Sequence, residues 1–412
     1  MYMCIDMKSF YASVECVTRH LNPDTAPLVV ADVTRGKGAL CLAVSAGLKA
    51  MGVKNRCRLN EIPAHLPYWI ARPRMRTYLE TSAEIYNMYL DFFSPDDVFV
   101  YSIDECFINV TPYLSLYHTN EYRLAKKILA LLKERFGLTA TVGIGPNLFL
   151  TKVALDILSK HDSHHIGYVD EKIYRESLWE HTPITDFWSF SQGTQKRLLS
   201  LGITTMKGIT QTSYEELYKL FGIKTSMIIE RAWGREGVTL DDIKAYVPQH
   251  KSLSTGQTLS RGYTKEEGLT VLKELIEILL LKITQSRLCA SSVSVIVVYD
   301  QATPHMALAV SQKLTMPTLS ASLLLETMCA LYEHGTKPLM IRRIYISFNN
   351  LVPYDSVPYD LFNPQGDKEL KLYDVLGDIK EKMGKGSIMR LRDIEPEATF
   401  KERNALIGGH HA

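Results

Sequence analysis

The sequence predicts an α+β protein built from more than one domain. A chain of 412 residues is longer than a typical single domain, so we expect several compact parts. Two short apolar runs, residues 3–5 and 98–101, have the character of buried strands, and acidic residues follow each of them closely. Farther along, residues 252–350 alternate strand-like and helix-like segments in the order β-α-β-β-α-β, which is the ferredoxin-like split arrangement.

Composition and charge indicate an ordinary globular protein. Hydrophobic residues make up 46% of the chain and charged residues 22%, which excludes a disordered chain. The net charge of +2 neither favours nor excludes nucleic acid, but Lys54–Arg76 and Gln192–Arg235 carry local surpluses of basic residues. Such surpluses could follow a phosphate backbone, and solvated surface charge explains any single one equally well. No signal peptide and no apolar run of membrane length is present, so we expect a soluble, cytoplasmic protein with no membrane partner.

The seven cysteines do not predict a disulfide framework or a zinc site. None of them forms a CxxC pair or has zinc-ligand spacing. Cys4, Cys41 and Cys106 lie in apolar, strand-like surroundings and are expected to be buried, reduced thiols.

Acidic residues at two predicted strand ends form the first candidate site. Asp6 follows the first strand, and the pair Asp104 and Glu105 follows the second. Carboxylates at neighbouring strand ends would repel one another unless a divalent cation neutralised them, and oxygen ligands suit Mg²⁺ or Mn²⁺. Such a cluster is what two-metal phosphoryl transfer requires. Taken singly, each acidic string could equally be an ordinary solvated turn.

Elements of the first 166 residues follow from their patterns. After the first strand, a helix from Ser9 to Thr18 carries apolar and aromatic residues, and Gly36–Gly38 marks a turn between two strands. Apolar residues at helical spacing predict a helix over Glu121–Phe136. The other predicted elements are strands 28–31, 38–44 and 139–144, and helices 45–51, 77–93 and 147–158.

The rest of the chain divides into a helical part, a linker and a second α/β part. Residues 167–235 are predicted to be all-helical, with glycines between helices, and the polar stretch 241–251 is predicted to be a linker. A Pro- and Tyr-containing tail from 353 precedes a charged helix over 368–382. The second α/β part is predicted to contain strands 253–259, 292–299, 307–314 and 338–348, and helices 265–286 and 320–334.

Several motifs resemble those of one family. Asp6–Glu15 and Ser102–Phe107 resemble the two metal-binding motifs of the Y-family, or ImpB/MucB/SamB-type, translesion DNA polymerases. Their order and spacing fit over nearly all 412 residues. A third block, Thr141–Asn147, runs on to Lys152 and Lys160 and is similar to the family's segment after the second motif. A fourth block, Arg403–His410, is similar to the C-terminal signature of the bacterial branch related to the catalytic subunit of DNA polymerase V.

The resemblance implies a right-hand polymerase with an additional DNA-binding domain. Its thumb would contain a helix–hairpin–helix-like motif, in which Ser189 and Ser191 stand where the family has a glycine pair. The implied parts are a palm (1–10 and 70–166), fingers (11–69), a thumb (167–235), a linker (236–251), a little finger of β-α-β-β-α-β order (252–350), and a C-terminal tail and helix (351–412).

The resemblance also implies the ligands of two Mg²⁺ ions, with Mn²⁺ as a possible substitute. Asp6 and Asp104 would bridge both ions. Glu105 would complete the ion nearest the primer, and the Met7 carbonyl the ion nearest the triphosphate.

Nucleotide-binding residues are implied on either side of these ligands. Lys49 and Lys160 would contact the triphosphate, although Gly47 stands where family members commonly carry an acidic residue. Phe10 and Tyr11 follow the metal strand within one helical turn, and Tyr11 would be the steric gate that excludes a 2′-hydroxyl. Core packing is the alternative for both aromatic residues.

The implied function is low-fidelity, DNA-directed DNA synthesis across damaged templates. Its partners would be primer–template DNA and dNTPs, with an activator protein or recombinase filament as a further possibility. The tail segment that contains Tyr359, Leu361 and Phe362 ends like the peptides that dock on the bacterial sliding clamp. The leading glutamine of those peptides is absent, so packing within the chain is the alternative. The rival functions are a palm-type nucleotidyl cyclase and a non-catalytic, clamp-associated accessory of the same scaffold.

Overall fold

The structure is a computed structural model that describes residues 1–160, 162–248, 252–300, 307–358 and 366–411. The chain forms two compact units, one made mainly of Met1–Tyr246 and the other of Val247–Gly409. All seven cysteines have free thiols, and Cys4, Cys41 and Cys106 are buried as the sequence predicts. Within the described ranges, no helix is both long and apolar enough to cross a membrane.

A five-stranded sheet forms the centre of the first unit. The first strand, Tyr2–Met7, lies in the middle and pairs antiparallel with strands on both sides. Residues 3–5 are fully buried because both faces of this strand are covered. In spatial order the strands are Val98–Val100, Glu105–Asn109, Tyr2–Met7, Ala140–Gly145 and Ile166–Tyr168.

Helices Phe10–Thr18, Met75–Leu90, Thr111–Leu116 and Glu121–Phe136 accompany this sheet. The last of these has the predicted bounds because its ends are encoded locally. The Asn120 side chain accepts a hydrogen bond from the Arg123 backbone N–H at 2.9 Å, which caps the first turn. At the other end, Gly137 takes a left-handed conformation with φ of 67° and stops the helix.

The predicted helix 147–158 consists of two kinds of helix. Leu148–Val153 is α-helical, and Ala154–Ser159 continues it as a π-helix, which ends at Lys160. The first part lies directly on the sheet, since a Cβ at Gly143 would stand 2.2 Å from the Thr151 carbonyl oxygen. The wider π-turn adds a residue before Lys160, and such turns are frequent at functional sites.

A smaller sheet lies between the first strand and residue 71. Leu28–Ala31 pairs parallel with Trp69–Ala71 and antiparallel with Cys41–Val44. The strand predicted over 38–44 therefore begins only at Cys41. The short helix Ala46–Ala50 follows it, and a Cβ at position 47 would stand 2.2 Å from the Thr25 carbonyl oxygen. Close backbone packing therefore explains why this helix has glycine where the family commonly has an acidic residue.

The helical part of the first unit packs around its own apolar core, which includes Phe187, Leu198, Met206 and Leu217. The prediction that residues 167–235 are all-helical is wrong at the start, because strand Ile166–Tyr168 joins the main sheet. The α-helices of this part are Glu171–Ile173, Gln192–Leu199, Met206–Thr210, Tyr214–Phe221 and Thr225–Ala232.

The polar stretch predicted as a linker contains a helix, Leu240–Ala245. Leu240 is 3% exposed and belongs to an apolar cluster with Cys4 and Phe107. The Lys244 ammonium donates to the backbone carbonyls of Pro95 and Asp96, each at 2.7 Å. This part of the predicted linker is therefore packed against the main sheet.

The second unit confirms the predicted β-α-β-β-α-β order. Its four long strands are all antiparallel. Its core lies between the sheet and the helices Lys265–Gln285 and Ala321–Gly335. In spatial order the strands are Ala307–Thr318, Leu288–Tyr299, Ile341–Asn349 and Ser252–Tyr263.

Residues 366–409 add to this second unit, whereas His410 and His411 are grouped with the first. Helix Gly366–Met383 is followed by a short helix, Phe400–Asn404, and by the two-residue strands Leu406–Ile407 and His410–His411. Glu274 is 2% exposed, accepts the Thr399 backbone N–H at 3.1 Å, and forms an ion pair with the Arg403 guanidinium at 3.1 Å. Arg403, the first residue of the C-terminal motif, therefore stabilises the interior of its own unit.

Candidate active site

The three candidate carboxylates meet at the ends of two adjacent strands. Asp6 and Glu105 are direct cross-strand partners, and the Met7 backbone N–H donates to the Asp104 carbonyl at 2.9 Å. Burial, reinforced by the negative charges of Asp104 and Glu105, raises the pKa of Asp6 to about 7. The predicted convergence of these groups is therefore present, and it concentrates negative charge at the strand ends.

Two of these carboxylates have partners within the chain. Asp104 accepts a hydrogen bond from the Ser102 hydroxyl at 2.7 Å. Glu105 accepts one from the Cys4 thiol at 3.1 Å and lies 2.7 Å from the Lys152 ammonium. Among the described residues, no three Asp, Glu, His or Cys side chains stand in the arrangement of a metal-ligand set. In this structure the ion pair with Lys152 engages Glu105 instead.

Lys152 is a functional candidate to which sequence reasoning assigned no role. Its side chain is 8% exposed and also lies 3.3 Å from an Asp156 carboxylate oxygen. Burial alone would lower the pKa of Lys152, but the carboxylates of Asp156 and Glu105 raise it, so the ammonium stays charged. A lysine four residues before an aspartate, within an otherwise apolar helix, was the signal available in the sequence.

The donors present suit a divalent cation. The groups around Asp6 are carboxylate oxygens, the ligand type that Mg²⁺ and Mn²⁺ prefer. Burial and the charges of Asp104 and Glu105 raise the pKa of Asp6, and a bound cation would favour its charged form.

Lysines also lie within electrostatic range of Asp6. The pKa of Lys49 is lowered, mainly by burial and also by the ammonium groups of Lys160 and Lys8. The nearby Asp6 carboxylate opposes this shift. The predicted pair Lys49 and Lys160 is thus brought together beside Asp6, and Lys8 joins them. The Lys49 ammonium donates to the Ser9 hydroxyl at 2.9 Å. Like charges held close together favour an anion, and a triphosphate is one.

The two adjacent aromatic residues have different surroundings. Phe10 is 2% exposed and lies in the core, which is the alternative that the sequence left open. Tyr11 is half-buried, and burial together with the Asp104 charge raises the pKa of its hydroxyl. The Tyr11 ring is stacked on Tyr78, with centroids 4.5 Å apart and planes inclined by 16°.

A buried carboxylate supports this aromatic pair. Glu15 has no exposed surface, and its side chain accepts hydrogen bonds from Arg74 Nε at 2.8 Å, from the Tyr78 hydroxyl at 2.9 Å, and from Arg19. Burial alone would raise the pKa of Glu15, but these hydrogen bonds lower it. Sequence reasoning did not identify Glu15 or Tyr78 as functional candidates.

The clamp-docking candidates Tyr359, Leu361 and Phe362 lie outside the described residues.

Comparisons with known proteins identify the family of this chain. Residues 5–156 match the model of the impB/mucB/samB family, and residues 250–361 match that of the C-terminal domain of the same family. The chain is 30% identical over 411 residues to the protein of Bacillus subtilis (strain 168) named "Putative UV-damage repair protein UvrX", covering 99% of this chain and 97% of that one. It is 28% identical over 418 residues to DNA polymerase IV 2 of the same organism, covering 99% and 98% respectively.

A solved structure shows the same fold. The Y-family DNA polymerase chimera Dbh-Dpo4(243-245)-Dbh superposes with a TM-score of 0.65 at 22% identity, covering 85% of this chain and 99% of that one. This fold and the family matches together identify a Y-family DNA polymerase. In particular, this chain belongs to the impB/mucB/samB family. The prediction of a translesion-type polymerase is confirmed, and polymerases of this family generally depend on divalent metal ions.

Proposed function

We propose that this polymerase extends a primer 3′-hydroxyl with dNTPs across damaged DNA templates at low fidelity. The observation that carries the proposal is the charge layout around Asp6. Asp6 is the cross-strand partner of Glu105 and is influenced by the Asp104 charge, and the ammonium groups of Lys49 and Lys160 also lie within electrostatic range of it. A cation-binding site next to a polyanion-binding site is what nucleotidyl transfer from a triphosphate needs.

Asp6, Asp104, Glu105 and the Met7 carbonyl would hold two Mg²⁺ ions, or Mn²⁺ in their place. When bound, the ions would lower the pKa of the primer hydroxyl and neutralise charge on the pyrophosphate leaving group. Asp6 and Asp104 are the residues proposed to bridge both ions. Glu105 already has its carboxylate oriented by Cys4 and Lys152, at 3.1 and 2.7 Å.

The other residues bind and select the nucleotide. Lys49 and Lys160 would pair with triphosphate oxygens, since both ammonium groups lie within electrostatic range of Asp6. Tyr11 would lie against the incoming sugar and exclude a 2′-hydroxyl. Burial and the Asp104 charge raise the pKa of the Tyr11 hydroxyl, and this proximity to Asp104 supports that location. Phe10 is proposed to contribute only by packing behind Tyr11, at a centroid distance of 5.9 Å.

Low fidelity is proposed from the size of the fingers. Only residues 11–69 are inserted between the first motif and the return to the main sheet, with a three-stranded sheet and short helices. Little protein is then available to enclose the nascent base pair, and discrimination by shape needs tight enclosure.

Single-nucleotide primer extension tests the proposal. The wild-type chain should extend an undamaged and a lesion-bearing template in Mg²⁺, and Asp104→Ala should abolish extension while binding primer–template DNA almost normally. A near wild-type rate for Asp104→Ala would contradict the metal assignment. No extension by the wild type would instead favour the non-catalytic accessory, and cyclisation of ATP without a primer would favour a nucleotidyl cyclase.

We further propose that Tyr359, Leu361 and Phe362 dock on a sliding clamp, on the strength of their sequence alone. Two apolar anchors in a short extended segment can fill a cleft, with modest affinity because ordering the segment opposes the gain. Replacing Leu361 and Phe362 by alanine should reduce processive synthesis on clamp-loaded templates only. Equal effects on bare primers would indicate packing against the polymerase itself.

A further inference from the structure

The candidate steric gate is supported from behind by a second aromatic ring. Tyr78 has no exposed surface and lies nearly parallel to Tyr11, with ring centroids 4.5 Å apart. Tyr11 is only half-buried, and the stacked Tyr78 ring is one of the contacts that limit its movement. Displacement of Tyr78 would therefore allow the Tyr11 ring to move away from the sugar.

The position of Tyr78 is in turn fixed by a charge. Its hydroxyl donates to Glu15 at 2.9 Å, and Glu15 is itself held by Arg74 at 2.8 Å and by Arg19. Glu15 lies on the same helix as Tyr11, four residues later, so the two occupy one face of that helix. Tyr78 lies on helix Met75–Leu90, and the buried carboxylate therefore ties both helices together directly behind the gate.

We propose that Glu15 is a positioning residue for sugar selection, acting through Tyr78 on Tyr11. This inference rests on the proposed role of Tyr11 as the gate. Exclusion of a 2′-hydroxyl is a steric effect, so it depends on whether the Tyr11 ring can move away from the sugar by a fraction of an ångström. A hydrogen bond from Tyr78 to a buried, charged acceptor resists that movement, because breaking it removes one of the donors to a carboxylate that has no exposed surface.

Conservative variants separate positioning from general stability. Tyr78→Phe keeps the stacked ring and removes only the hydroxyl, whereas Glu15→Gln keeps the shape of residue 15 and removes its charge. We expect each to lower the ratio of kcat/KM for dNTP over rNTP by about fivefold or more, the effect of one lost hydrogen bond, with a smaller change in dNTP use. A purely structural role would lower dNTP and rNTP use in parallel and leave the ratio unchanged.

Tyr113→Phe is the matched control. Tyr113 is also a buried tyrosine of the first unit, and its hydroxyl donates to an Asp97 carboxylate oxygen at 2.7 Å. Its removal costs a comparable hydrogen bond away from the gate, so the sugar ratio should stay at the wild-type value. A drop in the ratio of equal size in Tyr113→Phe would overturn the proposal.

A double-mutant cycle with Tyr11→Ala tests the route of the effect. If Tyr78 acts through Tyr11, Tyr78→Phe should not lower the ratio further once Tyr11 is alanine. If Tyr11→Ala alone leaves the ratio unchanged, the gate assignment fails. If Tyr11→Ala lowers the ratio but Tyr78→Phe and Glu15→Gln do not, the gate stands and only the positioning role of Glu15 is overturned.

Discussion

Asp6 and Glu15 are carboxylates nine residues apart in the sequence with opposite electrostatic states. At Asp6, burial and two neighbouring carboxylates raise the pKa to about 7. At Glu15, burial acts in the same direction, but hydrogen bonds from Arg74, Arg19 and Tyr78 outweigh it and lower the pKa. The difference lies in the partners that the fold supplies, since burial raises the pKa of both groups.

The comparison separates a site that needs a ligand from one that does not. Positive charge for Glu15 comes from the chain itself, so that carboxylate stabilises the fold. Asp6 faces like charges, and this arrangement costs stability unless a cation is bound. Protein function often requires such locally unfavourable arrangements. Glu105 is intermediate, because its ion pair with Lys152 satisfies it inside the chain although it is also a proposed metal ligand.

The largest expected effect is on catalysis and comes from the Asp6 side of the comparison. Asp6→Asn should reduce single-nucleotide extension by about 1000-fold or more, because it removes a charged ligand shared by both proposed ions. Glu15→Gln should retain most dNTP incorporation. Steady-state extension assays of the two variants check this, and comparable losses in both would mean that Asp6 has no special role in the chemistry.

The order of the two variants should reverse in stability. Glu15→Gln should lower the free energy of unfolding by about 2–3 kcal/mol, since it leaves Arg74 and Arg19 without their buried anion. Both arginines are partly exposed, so the loss should be smaller than for a fully buried ion pair. Denaturant unfolding measures this value. Glu80→Gln, an exposed acid on the helix of Tyr78, is the control and should change stability by less than about 0.5 kcal/mol. A similar loss in the control would indicate a general effect of charge.

Metal-free Asp6→Asn should be more stable than metal-free wild type, and bound cations should reverse that order. Removing one of three mutually repelling charges should add about 1 kcal/mol in the presence of a chelator. Mg²⁺ at about ten times its dissociation constant should add ~1.4 kcal/mol to the wild type, and almost nothing to the variant. Thermal unfolding with and without Mg²⁺ measures both. An equal shift in wild type and variant would place the bound ion elsewhere, and Glu15→Gln should keep the wild-type shift.

Much of the site was predictable because its signals are local. Asp6 lies near the end of the first strand and Glu105 begins the strand that pairs with it, so this one pairing brings the carboxylates together, whereas the apolar run before Asp104 forms the outer strand Val98–Val100. Helix Glu121–Phe136 has its predicted bounds because Asn120 and the following glycine mark its ends. In each case, residues adjacent in the sequence carry the information.

Features that depend on distant residues were missed or wrong. The partners of Glu15 include Arg74 and Tyr78, which lie 59 and 63 residues away, and no local pattern connects them. The helix Leu240–Ala245 was predicted as a linker because its residues are mostly polar, and burial of one leucine on the main sheet decides the outcome. There the capping box formed by Thr239 and Asp242 was a readable signal.

The smallest expected effect is the acid dependence of stability at Glu15. Its pKa in the folded protein lies below the ordinary value of 4.5, so the unfolded chain binds more protons as the pH falls. The stabilisation is therefore fully present above that value and is lost as the pH drops through the lower pKa of the folded state. Glu15→Gln cannot titrate at this position, so the stability difference between wild type and variant should shrink below about pH 5. Denaturant unfolding of both proteins from neutral pH to pH 4 measures the difference. A gap that stays constant over this range would mean that the two arginines and Tyr78 do not favour the charged form, and the contrast with Asp6 would then reduce to burial alone.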